Sequence, residues 1–90
     1  MGQETVLFSS KEPKTRGEVC SFLRDLADRI EAGRVTLRQG ESEIVLDLPD
    51  EVVLELKVED EDKRRKGTQH SLEVELKWYD GQTARGVELA

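Results

Sequence analysis

The sequence predicts an α+β fold in the order β-α-β-β-β-β, with one amphipathic helix packed on one face of a mostly antiparallel sheet. Three runs of residues carry this expectation. In residues 71–79 (SLEVELKWY), Leu72, Val74, Leu76 and Trp78 alternate with Glu73, Glu75, Lys77 and Tyr79. Successive strand side chains point to opposite faces, so this run is a strand with one apolar and one charged side. Residues 51–59 (EVVLELKVE) repeat the pattern, with Val52, Leu54, Leu56 and Val58 on one side and Glu51, Glu55, Lys57 and Glu59 on the other. The third run has a helical period. Val19, Phe22, Leu23, Leu26, Ala27 and Ile30 recur three and four residues apart and form one apolar stripe.

Taken in order, the short apolar cluster of residues 5–8 reads as an edge strand that enters a turn at Pro13. Thr15, Arg16, Gly17 and Glu18 match the S/T-x-x-E capping box, in which hydroxyl and carboxylate satisfy free amides of the first helical turn. Gly33 supplies a left-handed stop, which predicts a helix over residues 16–32. On its outer face, Arg24 with Asp28 and Asp25 with Arg29 are expected to pair at i,i+4. Residues 35–38 and 43–48 alternate about a loop containing Gly40, the pattern of a β-hairpin. Pro49-Asp50 makes the next turn, and the charged segment 60–69 (DEDKRRKGTQ) links the last two strands. An Asp-Gly turn at residue 80 opens a stretch without clear period, read as a mobile tail over 80–90. Phe22, Leu23, Leu26 and Ile30 are expected to pack on Leu46, Leu54, Leu56, Val74 and Leu76. Truncation of a buried Leu56 should then cost roughly 2–5 kcal/mol.

Ninety residues make one domain, 1–90, with its core in about 5–79. The hydrophobic share of 36% and only four aromatics imply a thin aliphatic core, so oligomerisation is an open alternative. A net charge of -6 favours solubility and opposes non-specific binding to nucleic acid or anionic lipid. The single cysteine, Cys20, excludes an internal disulfide and a multi-cysteine metal site. The beginning of the chain lacks the basic and apolar regions of a secretory signal, and Val6 stands where a myristoylation pattern needs Ser or Thr. No apolar run approaches the roughly 20 residues that span a bilayer. The expectation is a cytoplasmic chain with no membrane partner.

The phrase Leu23, Arg24, Leu26, Ala27 and Gly33, followed by strands VTL, IVLDLP and VVLELKVE and the ending Glu75 to Trp78, resembles the amphi-Trp domain. The likeness spans residues 19–78. It implies a small α+β domain of undefined biochemical function, so it assigns no catalytic or binding residue. Cys20 falls where sequences of this kind carry small apolar residues, which fits packing.

Two surfaces are candidate sites. The charged sheet face holds Glu55, Lys57, Glu59, Glu73, Glu75 and Lys77, with Tyr79 beside them and Val53 and Val45 as apolar inclusions. It reads either as a protein-binding or dimerisation surface or as cross-strand pairs worth roughly 0.2–1 kcal/mol each. The intervening lysines work against a divalent cation there. The second candidate is the basic loop Lys63, Arg64, Arg65 and Lys66. It reads either as a phosphate contact or as a solvated tip whose charge Asp60, Glu61 and Asp62 largely cancel. No aromatic is interleaved there for base stacking. His70, the only histidine, matches the phase of Leu72 and belongs at the rim of the core. Cys20 has no resolving cysteine and reads as a small buried hydrophobe. Trp78 reads as a lid on the core, with an exposed interface anchor as the alternative. No phosphate loop, HExxH or nucleophile elbow occurs, and no cofactor is implied. The expectation is a non-enzymatic interaction module that binds a protein partner or itself through the charged face or an edge strand. Weak nucleic-acid binding through the basic loop is the alternative.

Overall fold

The capping box that the sequence spells at Thr15 is formed in full. In the computed structural model, which describes residues 2–81, Thr15 is extended at φ -75° and ψ 161°. Its hydroxyl accepts from the Glu18 amide at 3.1 Å, and its own amide donates to Glu18 Oε1 at 2.9 Å. Helix α1 then runs over Arg16–Ala32 and ends where Gly33 turns left-handed at φ 90°. The Gly33 amide donates to the carbonyls of Arg29 and Ile30, so the last turn is closed by the backbone. The bounds match the sequence expectation.

The chain divides into two units, Met1–Leu48 and Pro49–Ala90. In the first, α1 packs against strand β1 (Arg34–Gln39), which pairs antiparallel with β2 (Ser42–Asp47). Register sets Val35 opposite Leu46 and Leu37 opposite Ile44, so these four aliphatics share one face. Val35 is the buried centre, only 4% exposed, while Leu37, Ile44 and Leu46 are half-buried. From α1, Leu26 and Ile30 are half-buried, whereas Val19, Phe22 and Leu23 are exposed. The strand leaves the helix directly after Gly33, so cover is richest at the C-terminal half of α1. Gly40, at φ 60°, makes the two-residue turn between the strands with Glu41. Two ion pairs cross this hairpin, Arg34 to Asp47 at 2.6 Å and Arg38 to Glu43 at 2.6 Å.

The second unit is a long hairpin. Strands β3 (Val53–Asp62) and β4 (Thr68–Lys77) pair antiparallel over ten residues each. A single 3-10 turn, Arg64–Lys66, joins them. The sequence assigned 60–69 to the loop. The structure shortens it to residues 63–67, because the ladder continues through Asp60 opposite His70 to Asp62 opposite Thr68.

The α+β class and the antiparallel pairing stand, with element order α-β-β-β-β and two two-stranded sheets. Three expectations are corrected in detail. Residues 5–8 form no strand: Val6, Leu7 and Phe8 are consecutive apolar residues without alternation, and they join no ladder. The helix pairs Arg24–Asp28 and Asp25–Arg29 do not close, since all four side chains reach into water. Leu54, Leu56 and Val74 are exposed rather than buried. The Asp80-Gly81 turn forms, with Gly81 at φ 78°, and the tail expected beyond it lies from residue 82 outside the described residues.

Candidate functional site

The two faces of the β3–β4 hairpin follow from one register. Leu54 faces Leu76, Leu56 faces Val74 and Val58 faces Leu72, so six aliphatics lie on one side. Asp60 and His70 continue that side toward the tip, where His70 Nδ1 lies 2.6 Å from Asp60 Oδ1. The sequence phase of His70 with Leu72 holds. Its side chain is nonetheless open to solvent rather than packed.

The opposite side brings together all six residues of the charged candidate face. Glu55 lies opposite Glu75, Lys57 opposite Glu73, and Glu59 opposite Ser71. Two glutamates directly across a ladder repel each other. Lys77 relieves that conflict, with Nζ at 2.5 Å from Glu55 and 3.7 Å from Glu75. The hydrogen bond from Lys77 and its positive charge hold the Glu55 carboxyl below its ordinary range, and Glu55 in turn raises Lys77. Lys57 turns along its own strand to Glu59 at 3.7 Å instead of crossing to Glu73. Glu73 therefore has no cation within ion-pair distance among the described residues, and four carboxylates share two ammonium groups. Val53 is the apolar inclusion at the open end of this face and is exposed. Val45 belongs to the other hairpin, on the outer side of β2 opposite Thr36.

At the tip, the backbone of Arg64 adopts φ 58° and its amide donates to Asp62 Oδ1 at 2.8 Å. Asp62 is thus spent on the turn and Asp60 on His70. Of the three, only Glu61 reaches a lysine or arginine, Lys63 at 3.3 Å. Arg64, Arg65 and Lys66 therefore have no carboxylate within 4 Å among the described residues, although Asp60, Glu61 and Asp62 keep their charges in the same segment and leave residues 60–66 at a formal +1. The sequence misses this because it counts charges, whereas Asp at the first position of a tight turn commonly bonds its own backbone.

Trp78 lies just past the end of β4 and is half-buried. With Val53, Leu76, Lys77 and Tyr79 it lines an open groove of about 490 Å³ at the open end of the hairpin. Cys20 is exposed on α1, which corrects its reading as a buried hydrophobe: its flank of the stripe lies in the part of the helix left open. Among the described residues no three His, Cys, Asp or Glu side chains converge as metal ligands. None of their helices is long and apolar enough to cross a membrane. A larger groove of about 1010 Å³ runs beside the start of α1, lined by Lys11, Glu12, Lys14, Glu18 and Phe22 among others. Its charged side chains lie at the surface rather than aiming into an enclosed volume.

The strand phrasing and the closing Trp78 are thus in place on the hairpin. The amphi-Trp domain model matches residues 1–90, the whole chain. The chain belongs to the amphi-Trp domain family. In this amphi-Trp domain the amphipathic pattern is realised as two faces of one long hairpin, with Trp78 at its open end. No curated protein and no solved structure matches the chain significantly.

Proposed function

We propose that this amphi-Trp domain is a non-enzymatic interaction module that binds a protein partner, or a further copy of itself, through the charged face of the β3–β4 hairpin and its flanking edges. The observation that carries the reading is the surplus of carboxylates on that face. Lys77 serves both Glu55 and Glu75, Lys57 serves Glu59, and Glu73 has no cation within ion-pair distance among the described residues. A basic peptide or protein surface complements such a face. Both strands of a two-stranded sheet are also edge strands, so backbone donors and acceptors flank the carboxylates and can take an added strand. We place the module in the cytoplasm, where an exposed free thiol such as Cys20 is compatible with a reducing milieu.

A second reading, phosphate contact by the tip, is favoured by Arg64, Arg65 and Lys66, whose cations are unpaired among the described residues. The net charge of -6 and the lack of an aromatic in residues 63–67 weigh against it.

One set of samples tests both readings. Immobilised wild-type protein and the E55K/E73K variant are exposed to the same cell extract, and retained proteins are quantified. The proposal expects proteins held by the wild type to be lost from a variant whose circular dichroism is unchanged. Equal retention by both removes the charged face as the site. Pooled short RNA and DNA added to the nitrogen-labelled wild type should leave the amides of residues 63–67 unshifted if the first reading holds. Salt-sensitive shifts there would favour the tip instead.

A further inference from the structure

The apolar side of the long hairpin is a different surface from the charged face, and it has its own geometry. Leu54, Leu56, Val58, Leu72 and Val74 are 59–73% exposed and stand in consecutive cross-strand pairs, completed by Leu76. A two-stranded hairpin is at best marginally stable in water until such a face is covered. We propose that the cover is the same face of a second copy, giving a two-layer sandwich of two hairpins related by a two-fold axis and running antiparallel.

Two arguments select this occupant and this direction. The first is area. A fully buried aliphatic side chain withdraws about 60–120 Å² from water. Ten such residues from two copies, each about two-thirds open at the start, contribute roughly 400–800 Å² of apolar area. Homodimer interfaces are about 65% apolar, which makes the total roughly 600–1,200 Å², a range whose upper part passes the ~1,000 Å² that a specific interface needs. The facing layers are equal in length, so the apolar rows superpose at the usual ~10 Å sheet separation.

The second argument is charge. The tip segment 60–66 carries four basic against three acidic side chains, with Arg64, Arg65 and Lys66 lacking carboxylate partners within 4 Å among the described residues, and the open end carries Asp50 and Asp80, both exposed. A parallel pair would set cationic tip against cationic tip. An antiparallel pair sets each tip beside the acidic open end of the other copy, twice over, as an isologous interface requires. The Asp60–His70 pair closes the apolar row at one end and Trp78 lies at the other, so in this direction each lies over the other. Both charged faces then turn outward, which presents two copies of the proposed partner surface on opposite sides.

The test is sedimentation equilibrium on the full chain, with two charge-reversed variants, R64E/R65E/K66E and D50K/D80K. The wild type is expected at twice its chain mass of 10.2 kDa. Each variant alone sets like charges together at both ends and should weaken the dimer about tenfold or more. An equimolar mixture of the two restores opposite charges at both ends and should recover a heterodimer of wild-type affinity. E55K/E73K should remain a dimer whether or not it loses its protein partners, which separates this inference from the function proposed above. A monomeric wild type overturns the proposal. Dimers indifferent to both charge variants, or variants that weaken without recovery on mixing, overturn it as well.

Discussion

Val35→Ala tests where the stability of this domain resides, with Leu56→Ala as its control. Alternation alone makes the two positions equivalent: each is an aliphatic in a strand with a regular pattern. The structure separates them, since Val35 is 4% exposed and Leu56 is 63% exposed. Val→Ala removes two methyl groups, about 1.6 kcal/mol of transfer free energy at ~0.8 kcal/mol per group, nearly all of it effective at a buried site. The residual void adds about 24 cal/mol per Å³, which brings the expected loss to roughly 2–3 kcal/mol. Leu→Ala removes three carbons, about 2.4 kcal/mol when fully buried, but only about a third of Leu56 is covered. Its expected loss in the separate chain is therefore about 0.9 kcal/mol, below the roughly 2–5 kcal/mol expected for a buried leucine. Urea denaturation followed by far-ultraviolet circular dichroism measures both, at the lowest workable protein concentration. A Leu56→Ala loss equal to or larger than that of Val35→Ala at that dilution would refute the assignment of the core to the first unit. Repetition at high concentration adds information, because the Leu56→Ala loss should grow with concentration if a second copy covers the face.

Two further predictions concern the helix start and acid stability. Thr15→Ala removes the hydroxyl that accepts from the Glu18 amide and should cost about 1 kcal/mol of helix stability, read from the urea midpoint; an unchanged midpoint would show that water replaces the cap without loss. Glu18 and Glu55 both have carboxyls lowered from 4.5, Glu18 chiefly by its bond from the Thr15 backbone and Glu55 by its bond from Lys77. Such groups contribute fully above the ordinary value, and the contribution is lost as pH falls through the lowered one, so stability should hold from neutral pH to about 4.5 and decline below. The E55Q variant should show a shallower acid decline than the wild type, and identical profiles would mean that the Lys77 pairing contributes nothing.

Most of the local structure is legible in the sequence because it is set by short-range rules. The capping box at Thr15, the left-handed Gly33 and the apolar period between them leave little freedom, and α1 has the expected bounds. Alternation likewise identifies all four strands and sorts their residues correctly into faces. The first segment shows the complement: Val6, Leu7 and Phe8 are apolar enough for a strand but have no period to choose a face, and no ladder takes them up. Strand ends are less legible. Charged residues 60–62 and Thr68 to His70 look like loop by composition, yet a ladder already running in register extends into them until the chain must turn.

What alternation cannot supply is the identity of the surface that an apolar face meets. The pattern at Leu54, Leu56 and Val58 is the same whether the cover is a helix of the same chain, a second sheet or another copy. The expectation of a helix on that face used the one amphipathic partner visible in a single sequence. Exposure of the face together with the split of charge along the hairpin changes the comparison. In the proposed antiparallel pair the basic tip and the two exposed aspartates of the open end are each used twice. The charged face is limited in the same way. Register explains why Lys77 lies between Glu55 and Glu75, and in the proposed function Glu73, without an ion-pair partner among the described residues, is the carboxylate that a partner's cation would meet. Local rules therefore determine which side chains stand together, and the chemistry left open on each face among the described residues is what the proposed partners would meet.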